Sequence, residues 1–121
     1  MSVDPTPEGI KQYVEDDDGG PVVMLNMLKY KTDGGRESYG EYSAKVMSFL
    51  EAVGGEVLFA GEAATALVAP DGWDWDSVIL VRYPSRAKFL EMVMNPDYQA
   101  ITQLRTEGLD EAILQATKQL M

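Results

Sequence analysis

The chain has 121 residues, 45% of them hydrophobic and 25% charged, which suits one compact domain. Twenty acidic residues against ten basic give a net charge of −10, a field that repels phosphate backbones and anionic lipid headgroups, so neither nucleic acid nor a membrane surface is expected as a partner. Cysteine and histidine are both absent, which removes disulfides, thiolate nucleophiles, soft-metal sites, an imidazole haem ligand and the commonest general base.

Met1 to Pro7 carries acid and proline where a secretory signal would carry basic and then apolar residues. No apolar run approaches the roughly 18 residues of a bilayer span, so a soluble cytoplasmic protein is expected. Pro7 to Val14 is predicted as a short helix with Thr6 as its N-cap and Pro7 at the first position, where a missing N–H costs nothing. Asp16-Asp17-Asp18-Gly19-Gly20 follows; it lacks the alternating spacing and closing glutamate of a calcium loop and reads as a solvated turn. This helix and turn, residues 1–20, precede a single domain over 21–121.

Pro21 to Tyr30 is an almost unbroken apolar run opened by proline, and it reads as a strand covered on both faces, with Asn26 its only polar interruption before Lys29. After a turn at Asp33-Gly34-Gly35, the residues Tyr39, Tyr42, Val46, Phe49, Leu50 and Val53 recur at helical spacing, predicting an amphipathic helix from about Arg36 to Val53, ended by Gly54-Gly55. Glu56 to Val68 reads as a second strand, weakened by alanine at 63, 64 and 66. Beyond Pro70-Asp71-Gly72, Asp76 to Tyr83 is a third strand that forms a hairpin with the second. Pro84 breaks it, and Ser85 caps a helix carrying Phe89, Met92 and Val93 that stops at Asn95-Pro96. A further helix from Asp97 to about Gly108 presents Tyr98, Ile101 and Leu104 or Arg105.

In the last segment local propensity favours helix, whereas topology favours an edge strand over Ala112 to Lys118. A closing strand completes the βαββαβ order of an α+β, ferredoxin-like sandwich with extra short helices. The first and third strands, the two most continuously apolar, are expected at its centre as a parallel pair. Helices cover one face of such a sheet, and a second subunit is the economical cover for the other.

Several pieces of the sequence together resemble a known family: Val22-Val23-Met24-Leu25-Asn26-Met27-Leu28-Lys29-Tyr30-Lys31, then Tyr39 and Tyr42, then Gly54-Gly55 leading a strand. They continue with Trp75-Asp76 and Val78, Tyr83-Pro84-Ser85-Arg86 and Phe89, then Pro96, Tyr98 and Arg105. Over about residues 6 to 118 the pattern is similar to the bacterial family of unknown function numbered 1330, of the dimeric α/β-barrel superfamily. The resemblance implies a ferredoxin-like monomer, two copies packed sheet to sheet, and no generally established activity. Superfamily relatives include cofactor-free monooxygenases, small isomerases, dehydratases and haem enzymes, and extending those activities to this chain is analogy of fold alone.

Asn26 and Arg82 interrupt apolar central strands that the topology sets side by side, and a buried amide or guanidinium is costly unless bonded or paired, so these two are the best-motivated ligand contacts. In a purely structural role Asn26 would satisfy backbone groups and Arg82 would pair with a carboxylate such as Glu62. Tyr39 and Tyr42 face the sheet with hydroxyls that border a cavity or are simply wetted. Arg105 reaches an anionic ligand or, the favoured reading, anchors its helix by a salt bridge. One indole of Trp73 and Trp75 packs inward; Asp71, Asp74 and Asp76 alternate in direction, so no metal site is expected there. Met24, Met27, Met92 and Met94 are expected to fill core and interface gaps.

No glycine-rich dinucleotide or P-loop fingerprint, no GxSxG and no HExxH occurs, and no cofactor is expected. The chain therefore reads as a homodimeric small-molecule-binding protein. Its catalytic form would be a cofactor-independent, monooxygenase- or isomerase-like enzyme acting on a small organic carbonyl or aromatic compound. Asn26, a tyrosine or Arg82 would polarise a carbonyl or hold an enolate-like anion, with Arg82 helping a tyrosine of ordinary pKa, about 10, to ionise. The alternative is a non-catalytic structural or interaction module. A cavity of roughly 300 Å³ or more with two convergent polar groups favours binding, and a packed interior favours the module.

Overall fold

The computed structural model describes residues 3–121. Helix α1 (Pro7–Glu15) starts as expected, with the Thr6 hydroxyl accepting from the Gly9 N–H at 3.0 Å, and no residue of this helix is buried. In the acidic turn, Asp17 and Asp18 accept from the N–H groups of Gly19 and Gly20, and Asp18 pairs with Lys118 at 3.0 Å.

β1 (Val22–Tyr30) leads into α2 (Gly35–Ala52), whose stripe of Tyr39, Tyr42, Val46 and Leu50 is buried. The helix stops where Gly54 takes a φ of 77° and the Gly55 N–H returns to the Leu50 carbonyl at 2.7 Å, a closure that a side chain at 54 would strain. β2 (Glu56–Glu62) and β3 (Ser77–Tyr83) follow. β2 ends six residues sooner than the sequence suggests: from Ala63 the alanine-rich chain leaves the sheet, exposing Leu67 and Val68 almost completely. The Ser85 hydroxyl caps α3 (Arg86–Met94), and the Asn95 side chain caps α4 (Pro96–Gly108) by accepting from Asp97 N–H. The last segment is strand β4 (Leu109–Thr117), so topology overrides local helix propensity there.

The sheet order is β2-β3-β1-β4, with β1 and β3 central. Their expected parallel pairing is wrong: β1 and β3 are antiparallel, from Val22 opposite Tyr83 to Leu28 opposite Ser77. The crossover through α2 returns the chain so that β2 runs in the same sense as β1, and the hairpin then reverses β3 as it inserts between them. Val22, Met24 and Leu28 of β1, Val81 and Tyr83 of β3 and Leu109 of β4 form one core with the buried residues of α2, α3 and α4. Leu28 is fully buried. Strand alternation turns Val23, Leu25, Met27, Val78, Leu80 and Ile113 to the opposite face. There Leu25 lies between Leu80 and Gln115, and Met27 between Val78 and Ile113, with Phe59 of β2 beside Leu80. Ion pairs rim this apolar area: Lys29 with Asp74 at 3.3 Å and Glu111 at 3.7 Å, and Arg82 with Glu56 at 3.7 Å. Among the described residues no helix is long and apolar enough to cross a membrane.

Candidate functional site

Between the sheet and its helices lies a cavity of about 500 Å³. Met24 and Asn26 of β1, Ile79 and Val81 of β3 and Leu114 of β4 floor it. Tyr39, Tyr42 and Val46 of α2, Phe89 and Met92 of α3, and Tyr98 and Arg105 of α4 form its walls, while Asp4, Pro5 and Ile10 border it from the N-terminal side. Met24 and Met92 are core residues as expected, but Met94, 70% exposed, stands at the end of α3 and fills no core gap. Trp75 is the more buried of the two indoles, which meet edge to face at 5.8 Å. Asp74 and Asp76 are engaged within the protein, the first with Lys29 and the second accepting from the Tyr30 N–H at 2.9 Å.

Tyr39 and Tyr42 belong to a run of aromatic rings that continues from Tyr30 to Tyr98, with centroids 5.3 Å apart between Tyr39 and Tyr42. The hydroxyls of Tyr42 and Tyr98 share a hydrogen bond of 2.7 Å, whereas that of Tyr39 has no partner among the described residues. Burial pushes the Tyr39 phenol up to about 12, against a smaller downward pull from Arg105. Burial raises Tyr42 further, reinforced by Tyr98, and raises Tyr83 as well. These phenols stay protonated near neutrality and act as hydrogen-bond donors and acceptors of neutral form, not as bases. Their contribution to stability is complete below the ordinary tyrosine pKa of 10.0 and declines as pH rises towards the folded value, about 12 for Tyr39, because only the unfolded chain ionises readily in that window. A spectrophotometric alkaline titration run beside circular dichroism is expected to show tyrosinate absorbance from these rings appearing together with unfolding, and not before it.

Asn26 lies on the helix-facing side of β1, at the cavity floor. Its Nδ2 donates to the Met24 carbonyl at 3.3 Å and reaches the Ile79 carbonyl at 3.5 Å, both long contacts, and its side-chain oxygen accepts no hydrogen bond among the described residues. Arg105, in the last turn of α4 where a cation suits the helix dipole, is 6% exposed. Its Nη1 donates to the Val3 carbonyl at 2.6 Å and lies 3.5 Å from Asp4 Oδ1; its Nη2 is buried without a partner among the described residues. The salt bridge favoured for Arg105 exists, and the residue borders the cavity too.

Arg82 does not line this cavity. Asn26 pairs with Ile79, and Arg82 lies three positions further along β3, an odd step that turns it to the other face. Register puts it opposite Glu56, its ion-pair partner, while Glu62 at the far end of β2 is held by both Nη atoms of Arg36 at 2.9 Å. Arg82 therefore has no tyrosine to ionise in the cavity. The cavity also uses Tyr98, which the sequence reading placed only on a helix face. Its seven-residue spacing to Arg105, two helical turns, was the signal that joins them. Asp4, ahead of the first element, carried no such signal.

The family model described as Domain of unknown function (DUF1330) matches residues 29–117. No curated protein matches the sequence. A crystal structure of the protein RPA0582, of unknown function, from Rhodopseudomonas palustris is similar over 99% of this chain and 98% of that one, with 30% identity and a TM-score of 0.91. A dimeric ferredoxin-like protein of unknown function from Jannaschia sp. CCS1 covers 82% of this chain and 99% of its own, with 13% identity and a TM-score of 0.61. A hydroxynitrile lyase from Passiflora edulis covers 82% and 93%, with 12% identity and a TM-score of 0.63. The last two share the ferredoxin-like fold with this chain.

Proposed function

The chain belongs to the family of unknown function DUF1330, and on that premise we propose that it is a homodimeric small-molecule-binding protein whose ligand has an apolar body and occupies the cavity between sheet and helices. The observation that carries this reading is the cavity itself. Its volume of about 500 Å³ suits a small organic compound, and its walls are chiefly apolar, with Asn26, Tyr39 and Arg105 among the residues that bring polar groups to it. A packed interior would have left no such space.

In a catalytic form the same groups would stabilise negative charge on a carbonyl oxygen: neutral phenols and a guanidinium donate hydrogen bonds, and in a water-poor site such donors are strongly effective. The fold shared with the Passiflora enzyme is compatible with catalysis and does not require it. Two features support the homodimer. The outer sheet face has an apolar centre with a rim of ion pairs, the usual anatomy of a protein interface, and the Jannaschia protein of this fold is described as dimeric.

The test is a thermal-melt screen of the full chain against small aromatic and aliphatic ketones, aldehydes, amides and acids. At least one class is expected to raise the melting temperature in a saturable way; a ligand at about 100 times its Kd stabilises by about 2.7 kcal/mol. A flat response across all classes at millimolar concentration contradicts the proposal.

A further inference from the structure

Among the described residues lining the cavity, Arg105 is the only cation and Asp4 the only anion. Arg105 is 6% exposed, and half of its fork is unbonded: Nη1 serves Val3 and Asp4, while Nη2 is buried without a partner among the described residues. A planar guanidinium matches a carboxylate better than any neutral group. The carboxylate it already meets is itself part-exposed. Asp4 Oδ1 stands 3.5 Å from Nη1, accepts a hydrogen bond from the Thr106 hydroxyl at 3.0 Å, and belongs to a side chain 49% exposed. One guanidinium in an apolar cavity balances one negative charge, and within a protein of net charge −10 a dianion would remain uncompensated.

We propose that the ligand of this cavity is an apolar monocarboxylate whose head group is held by Arg105 in competition with Asp4 of the chain's own N-terminal segment. The inference rests on the binding reading above and narrows it to a chemical class. When such a ligand enters, the part-exposed Asp4 side chain turns towards water and the ligand's carboxylate takes its place on the guanidinium. The exchange of one carboxylate for another keeps the cavity neutral. The apolar body of the ligand then supplies the surplus, against Met24, Phe89 and Met92.

Calorimetric titration of the full chain with cinnamate and with cinnamamide, its neutral isostere, separates the parts of this proposal. The wild type is expected to bind cinnamate about tenfold more tightly than the amide, the effect of one charge-assisted contact. Asp4→Asn is expected to tighten cinnamate several-fold while leaving the amide unchanged, and Arg105→Gln to remove the preference. Equal affinity for the two probes overturns the carboxylate assignment and leaves the binding reading standing. Failure of both probes to bind overturns the carboxylate assignment, while the binding reading is decided by the thermal-melt screen. A preference that survives Arg105→Gln also overturns the assignment. If that variant does not fold, Asp4→Asn decides the matter: unchanged or weaker cinnamate binding removes Asp4 as the competitor and the proposal with it.

Discussion

Leu80→Asp is expected to convert the protein from a species of twice the 13.3 kDa chain mass into a monomer in light scattering at micromolar concentration. Leu80 stands on a central strand, with Leu25 on one side and Phe59 on the other, at the middle of the sheet face that no helix covers. A two-fold interface meets every substitution twice, so the variant brings two carboxylates into an apolar contact. Burying each without a partner costs several kcal/mol, and association weakens on the order of a thousandfold or more. Within the monomer the same side chain is half-buried and can turn to water, so the fold is expected to survive. Leu80→Ala, which removes area without adding charge, should weaken the dimer far less. A variant that still scatters as a dimer would contradict the sheet-to-sheet arrangement.

Gly108→Val should cost about 3 kcal/mol, at the upper end of the usual penalty for overpacking, because the obstruction is backbone and not a flexible side chain. A Cβ at Gly108 would stand 2.8 Å from the Gly35 carbonyl oxygen and 3.0 Å from the Tyr39 nitrogen. In return, a Cβ at Gly35 would stand 2.6 Å from the Gly108 carbonyl oxygen. The start of α2 and the end of α4 therefore cross with backbone against backbone, and the contact places Tyr39 near Arg105. The carbonyl of Gly108 also accepts from the Lys31 N–H at 3.0 Å, which ties both helix ends to the exit of β1. For a domain of this size the melting temperature is expected to fall by roughly 10 °C or more in a calorimetric scan. A fall of only a degree or two would show that the helices can separate without cost.

The central strands were legible because each is a nearly continuous apolar run bounded by a turn, and the helices because their apolar residues recur at helical spacing. β4 was legible only from topology. Leu109, Ile113, Ala116 and Leu120 suit a helix, and it is pairing with β1, from Val23 opposite Thr117 to Tyr30 opposite Leu109, that makes this segment a strand. Strand direction was misjudged because a hairpin between the second and third strands reverses the third relative to the first, whatever the side chains are. The cavity lining was legible where a residue's face follows from its own element: Asn26 on β1, Tyr39 and Tyr42 on α2, and Arg105 on α4. That Arg82 lies outside this lining was not legible, because its face depends on register between strands, and composition carries no count of register. Glu62 failed as its partner for the same reason, being opposite Ser77.

The central claim is that the space enclosed by β1, β3 and the helices holds an apolar acid by its carboxylate. Crystals of the full chain grown with cinnamate test it most directly. Electron density for the ring is expected between Met24, Phe89 and Met92, with the carboxylate within hydrogen-bond distance of Arg105 and the Asp4 side chain turned away. Water alone in a cavity of this size, with Asp4 still on Arg105 at saturating cinnamate, would contradict it.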